Sequence, residues 1–301
     1  MRSFLDLVEV SSDDIQEILT LSRRGGKVFS EGDSVALVFE KPSLRTRNSC
    51  EVAVKRLGGH PVYIQNSEVG IDKRESAEDI ARTLATYHRV IAARVFRHDV
   101  LDRMVSATDR IGRKLPIINL LSDRSHPCQA IADLLTISDV MSLGNSFSGI
   151  KIAYVGDSNN VAFSLAVAAL KVGATVSIAS PNEYSFDQSS RDYLETLGEV
   201  FFTLSPKEAL AGASVVYSDT WISMGEENEA EVRRAIFSPN YQVDAELMAS
   251  ANSNAVFMHC LPAHRGEEVT AEVFEANAQT IFAQAGNRLD AFQGVLRYCF
   301  A

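Results

Sequence analysis

The chain has 301 residues, 46% of them hydrophobic and 23% charged, which is the balance of a globular protein long enough for two compact domains. Its formal net charge of −10 excludes general binding to nucleic acid or to an anionic membrane surface, though it leaves room for a local basic pocket. Four widely spaced cysteines without a CxxC pair disfavour a zinc ribbon and a disulfide scaffold, residues 1–6 lead into no signal-peptide core, and the most apolar long window, 161–176, is broken by Ser164 and Lys171, so a cytoplasmic protein without a membrane span is expected.

Ser11 or Ser12 can cap a first helix carrying Ile15, Ile18 and Leu19, closed by Gly25-Gly26. Residues 35–39, Val-Ala-Leu-Val-Phe, read as a buried parallel strand. The helix that follows carries Cys50, Ala53, Val54 and Leu57 on one face and stops at Gly58-Gly59. Between strand and helix runs Lys41-Pro-Ser-Leu-Arg-Thr-Arg47. Free N–H groups and the helix dipole favour an anion there, Ser43 and Thr46 add hydroxyls, and Arg45 with Lys41 or Arg47 adds charge. The stretch is therefore either a site for a small phosphorylated ligand or a solvated basic surface; it lacks the spacing of a P-loop.

Residues 61–65 read as a second strand and 66–75 as a polar loop. Ser76 and Asp79 resemble a capping box that opens a helix through Ile80, Leu84 and Tyr87. Residues 90–96 form an apolar strand interrupted by Arg94, which either pairs with a carboxylate or reaches a ligand at the strand end. A helix over 99–108 and a strand over 115–120 lead to Asp123-Arg-Ser-His126-Pro-Cys-Gln129 and a further helix. With proline in its first turn, His126 sits at the helix mouth, either as a neutral hydrogen-bond donor or as a plain cap.

Residues 144–149 look like a linker, after which the pattern restarts with strands over 150–155, 174–179, 201–204, 214–217 and 255–258, and a helix over 161–172. The turn Gly156-Asp-Ser-Asn-Asn160 lacks GxGxxG and reads as a polar small-molecule loop. Asp219, at a strand end before Thr-Trp-Ile-Ser-Met-Gly225, either meets a substrate ammonium or caps the next helix. Cys260, in the loop 259–266, is a nucleophile, a ligand or an inert small hydrophobe. A last helix spans 284–298 with Arg288 near its start. The fold class is α/β in two domains, each a parallel sheet flanked by helices: 1–143, rejoined by the C-terminal helix 284–301, and 144–283.

In this order the pieces resemble the carbamoyltransferases, and within them those acting on ornithine, over nearly the whole chain. The likeness rests on Ser43-Leu-Arg-Thr-Arg47, His126-Pro-Cys-Gln129, residues 219–225 and His259-Cys-Leu-Pro262. It implies transfer of the carbamoyl group of carbamoyl phosphate to L-ornithine, giving L-citrulline and phosphate, with no cofactor and no metal. By the same resemblance Ser43, Leu44 (through its N–H), Arg45 and Thr46 hold the phosphate. Arg94, His126 and Gln129 hold the carbamoyl group. Cys260, Leu261 and Arg288 complete the carbamoyl-phosphate site, with Arg288 near the transferred group and Cys260 also near the side-chain amine. Asn160, Asp219, Ser223 and Met224 hold ornithine. Arg94, His126, Asp219, Cys260 and Arg288 form the catalytic set. The resemblance also implies a homotrimer or a multiple of trimers, with the loop around Lys73 as a candidate to reach a neighbouring subunit.

Two residues depart from the family pattern: Leu44 stands where threonine is usual, and Gly286 where an acid commonly precedes Asn287-Arg288. The alternatives are a carbamoyltransferase for aspartate, putrescine or an acylated ornithine, and a non-catalytic metabolite-binding protein of the same fold.

Overall fold

The computed structural model describes residues 1–144, 146–222 and 227–301. Two compact units emerge: Met1–Ala132 with Gly286–Ala301, and Asp133–Ala285. The division falls inside two long helices instead of at the linker expected around 144–149.

The first unit contains α1 (Ser12–Ser22), β1 (Ser34–Phe39), α2 (Leu44–Arg56), β2 (His60–Gln65), α3 (Asn66–Val69), α4 (Ala77–Leu84), β3 (Val90–Arg94), α5 (Asp99–Arg110), β4 (Ile117–Leu121) and the start of α6 (Pro127–Met141). Its sheet is parallel throughout, in the order β2-β1-β3-β4. Such a sheet is covered on both faces, which is why β1 and β3 are apolar runs and not alternating ones. Ala36, Val38, Ile91, Ala93 and Ile117 pack with Ile80, Leu84, Leu101 and Met104. The edge at β4 is closed by Phe4, whose N–H donates to Ile117 O and whose carbonyl accepts from Asn119 N–H, each at 2.8 Å. Burial of that ring contributes about 1.5–3 kcal/mol.

The second unit contains β5 (Lys151–Val155), α7 (Asn160–Lys171), β6 (Thr175–Ala179), α8 (Gln188–Leu197), β7 (Val200–Thr203), α9 (Pro206–Leu210), β8 (Val215–Ser218), α10 (Ala230–Phe237), α11 (Ala245–Met248), β9 (Val256–His259), α12 (Ala271–Ala276) and the start of α13 (Ala278–Phe300). Its sheet is also parallel, in the order β7-β6-β5-β8-β9. The rest of α13 lies in the first unit, against α1. Gly294 permits that approach: a Cβ there would fall 2.7 Å from Ile18 O and 3.0 Å from Ser22 Cα.

Several sequence expectations shift. Residues 66–69 form a helical turn inside the polar loop, and α4 ends at Leu84. The final helix begins at Ala278, six residues before the expected 284. Helices α8, α9, α11 and α12 have no counterpart among the sequence expectations, and α10 enters them only as the helix that Asp219 would cap. Among the described residues no helix is long and apolar enough to cross a membrane.

Candidate functional site

In each sheet the strand order reverses direction once, between β1 and β3 in the first unit and between β5 and β8 in the second. The crevice beyond the carboxyl ends of such strands is where open α/β sheets bind ligands. Both clusters of sequence-selected residues fall there.

In the first unit, Phe39 of β1 pairs with Arg94 of β3, so the turn leading into α2 begins beside Arg94. Ser43 is the N-cap of α2: its Oγ accepts from Thr46 N–H at 3.3 Å and donates to Thr46 Oγ1 at 3.0 Å. Leu44 opens the helix with its side chain 75% exposed, so its main chain is what it brings to the turn. The flanking cations part company. Arg47 turns outward to Glu51 at 2.8 Å and lies over the Tyr63 ring, and Lys41 lies over Phe96. Arg45 instead acts on His126.

Arg288 ties this turn to the start of α6. Its Nη2 donates to Thr46 Oγ1 at 2.9 Å, and its Nη1 donates to Gln129 Oε1 and to His126 Nε2, the latter at 3.3 Å. Thr46, Arg94, His126, Gln129 and Arg288 are all buried. Burial holds the His126 pKa well below its ordinary value, and the guanidinium groups of Arg288, Arg94 and Arg45 depress it further. The ring is therefore neutral. Since Nε2 accepts from Arg288, its proton sits on Nδ1, which makes Nδ1 the donor. The support of Arg288 comes from Thr46 and Gln129, and Gly286 plays no part in it; Asn287 is fixed separately by Arg23 at 3.2 Å.

The loop before His126 rests on a residue the sequence reading passed over. Asn119, fully buried in β4, donates through Nδ2 to Leu5 O at 2.9 Å and Ser125 Oγ at 3.0 Å. An asparagine inside an apolar strand was the available signal, since a buried amide needs partners.

In the second unit, Asp219 follows β8 and is buried. Its Oδ1 accepts from Thr220 N–H at 2.8 Å and from the Cys260 thiol at 3.0 Å, and its Oδ2 accepts from Asn159 Nδ2 at 3.0 Å. Asn159 also caps α7, accepting from Val161 N–H and Ala162 N–H. Asn160, the neighbour selected from sequence, is the first residue of α7, and its carbonyl accepts from Ser164 Oγ at 2.7 Å. Asn159, unselected, is the one that holds Asp219. Among the described residues the carboxylate thus carries only neutral donors, an arrangement that suits an incoming ammonium.

Cys260 and Leu261 leave the end of β9 on a loop held by His259. The His259 N–H donates to Gln284 Oε1, and its Nδ1 accepts from Leu261 N–H, both at 2.9 Å. Leu261 has a positive φ of 62°, a conformation costly for a branched side chain and fixed here by that bond. Tyr154 and Tyr217 stack beneath with ring centroids 5.9 Å apart. Burial raises both phenol pKa values far above the usual range, as do nearby carboxylates, so both stay neutral. Ser223 and Met224 lie outside the described residues.

Among the described residues, two groups bring metal-type ligand atoms within 4.8 Å of one another: Asp219, His259 and Cys260, and His264, Glu267 and Glu268. In the first, His259 Nδ1 already accepts from Leu261 N–H, and Asp219 already accepts from Thr220, Cys260 and Asn159. In the second, Glu268 accepts from His264 N–H and lies 3.3 Å from His259 Nε2. Both read as hydrogen-bonded networks.

Residues 2–139 match the family described as aspartate/ornithine carbamoyltransferase, carbamoyl-P binding domain, and residues 148–299 match its Asp/Orn binding domain. The chain is 41% identical over 315 residues to an ornithine carbamoyltransferase of Hyperthermus butylicus, covering 100% of this chain and 98% of the relative. It is 44% identical over 309 residues to the ornithine carbamoyltransferase, anabolic, of Pyrococcus furiosus, covering 98% and 95%. Among solved structures it superposes on the anabolic ornithine carbamoyltransferase of Campylobacter jejuni with a TM-score of 0.93 at 32% identity, covering 100% and 99% of the two chains. The Pyrococcus furiosus ornithine carbamoyltransferase gives 0.89 at 39% identity, covering 98% and 96%.

Proposed function

The chain belongs to the aspartate/ornithine carbamoyltransferase family, and on that premise we propose that it transfers the carbamoyl group of carbamoyl phosphate to the δ-amine of L-ornithine, giving L-citrulline and phosphate. The observation that carries the choice of acceptor is Asp219, a buried carboxylate surrounded by the neutral donors Asn159, Thr220 and Cys260. It fits a cationic side chain, whereas an aspartate acceptor would call for cations in its place.

In this reading the α2 N-terminus with Ser43, Leu44 N–H, Arg45 and Thr46 binds the phosphate. Arg94, the Nδ1–H of His126 and Arg288 face the carbamoyl oxygen, and Gln129 orients the carbamoyl amide. Asp219 receives the side-chain ammonium, with Asn160, Ser223 and Met224 assigned to the α-amino acid end. Once deprotonated, the amine attacks the carbamoyl carbon directly. The N–C bond forms, the C–O bond to phosphate breaks, and no covalent link to the protein arises. Cys260 therefore serves as a donor to Asp219 and not as a nucleophile. Rate acceleration comes from positioning and from stabilising the oxyanion, a role that neutral, pre-oriented His126 fills without reorganisation.

We also infer a homotrimer or a multiple of it, of 32.9 kDa chains, working in the cytoplasm in the direction of citrulline synthesis. The test is citrulline formation by the purified protein, with aspartate, putrescine and N-acetylornithine run in parallel. Turnover with ornithine alone is expected. Turnover with another amine would keep the phosphate site and overturn the reading of Asp219, and silence with all four in protein that still binds carbamoyl phosphate would favour a metabolite-binding role.

A further inference from the structure

The sequence around α10 is rich in charge and reads as surface. Glu231, Val232 and Arg234 are indeed exposed, but Arg233 is buried, on the same helix face as Phe237 four residues on. Its Nη1 donates to Asp157 Oδ2 at 2.7 Å and to the carbonyl of Trp221 at 3.0 Å. Its guanidinium carbon lies 4.5 Å from the centre of the Tyr184 ring. Tyr184 and Trp221 both pack on Phe237, with centroids 4.9 Å and 5.5 Å away.

The two acceptors sit on the two loops that frame Asp219. Asp157 is two residues before Asn159, whose amide holds Asp219 Oδ2, and Trp221 is two residues after Asp219 itself. The contacts close a ring from Arg233 through Asp157, Asn159, Asp219 and Trp221 back to Arg233. We propose that Arg233 is a positioning residue for the acceptor amine: it clamps the loops after β5 and β8 together and thereby fixes the Asp219 carboxylate. It touches no reacting atom. This rests on the assignment of Asp219 to the ornithine ammonium.

A buried ion pair that merely stabilises the fold would share the geometry, so the test needs readouts that stability alone does not move. Arg233→Ala is assayed with and without added guanidinium, which can refill the vacated space. Arg233→Lys keeps the charge but loses the planar guanidinium that lies over Tyr184 and the Nε–H that reaches Glu229. The expectation for both variants is an ornithine KM raised about ten-fold or more, with the carbamoyl-phosphate KM changed by less than about two-fold. Millimolar guanidinium should restore the alanine variant. Hydrogen exchange over 219–222 should quicken in the variants. Should Arg233→Ala not fold, the isosteric Asp157→Asn loosens the same clamp and is read in the same way.

An unchanged ornithine KM, or exchange over 219–222 equal to the parent protein, overturns the clamp. So does a uniform loss of kcat and melting temperature that guanidinium does not relieve. Failure of the parent protein to use ornithine would remove the acceptor assignment instead, and the exchange comparison would then decide whether the clamp exists.

Discussion

The Cys260 thiol donates to Asp219 Oδ1 across 3.0 Å, joining the loop after β9 to the strand end of β8. With Asn159 on the other oxygen, this leaves Asp219 oriented and able to accept one more donor. Asp219→Asn keeps the shape and removes the charge. A hydrogen bond to a charged group contributes about 1.5–3 kcal/mol. The ornithine KM should therefore rise about ten- to hundred-fold while carbamoyl-phosphate affinity holds, as steady-state kinetics with each substrate varied will reveal. A normal ornithine KM would remove Asp219 from the acceptor site.

His126 yields two expectations. If His126 is the oxyanion donor proposed above, its loss in His126→Gln should lower kcat about 10²–10³-fold. Its depressed pKa also links stability to pH. Below about pH 6.5 the unfolded chain protonates this histidine while the folded protein keeps it neutral. The contribution is thus complete above that pH and is lost as pH falls, by up to about 1.4 kcal/mol per unit, until the folded pKa is reached. Melting curves from pH 7.5 to 5.5 should fall less steeply for His126→Gln than for the parent protein. Equal slopes would mean that the folded protein titrates His126 normally.

How much of this was legible beforehand follows from the physics of each feature. The inner strands were, because a sheet covered on both faces demands apolar runs such as 35–39 and 90–96, the latter interrupted by Arg94 and ending as a strand there. The α2 turn was, because Ser43 and Thr46 flank a helix start after such a run. Helix α8 was not: of its ten residues Leu194 alone is buried, so it shows almost no apolar period. Sequence could not separate Asn159 from Asn160, two identical residues at one helix start, and only the capping geometry shows which one turns to Asp219. Nor could it separate Arg233 from Arg234, since a buried cation is known by its partners and not by its neighbours in the chain.

Arg103 holds the segment after α3 with four hydrogen bonds: to Asp72 at 2.7 and 2.8 Å, and to Glu78 at 2.8 and 2.6 Å. That pairing brings the Glu78 carboxyl down to about 2, so it stays ionised until strong acid and the anchor persists across the working pH range. Asp72, with φ at 58°, is held in a conformation that a free loop seldom keeps. Arg103→Gln should speed hydrogen exchange and proteolytic cleavage over 70–78. If Lys73 helps to join subunits, the same variant should sediment as smaller species at low concentration. Intact assembly alongside a loosened loop would take residues 70–78 out of the subunit contact.

Leu44 occupies the first position of α2 with its side chain largely in solvent, so its contribution to phosphate binding should be its backbone N–H. Leu44→Ala preserves that N–H. It should leave the carbamoyl-phosphate KM within about two-fold and change stability by no more than about 0.5 kcal/mol, as expected for an exposed site. Leu44→Thr adds a hydroxyl beside the anion. A charged hydrogen bond offers about 1.5–3 kcal/mol at best, and ordering an exposed side chain offsets part of it. The KM should fall about three- to ten-fold with kcat nearly constant, measured against carbamoyl phosphate at saturating ornithine. No gain from threonine would mean that the residue 44 side chain points away from the bound phosphate. A loss on going to alanine would mean instead that the leucine side chain is itself covered in the working assembly.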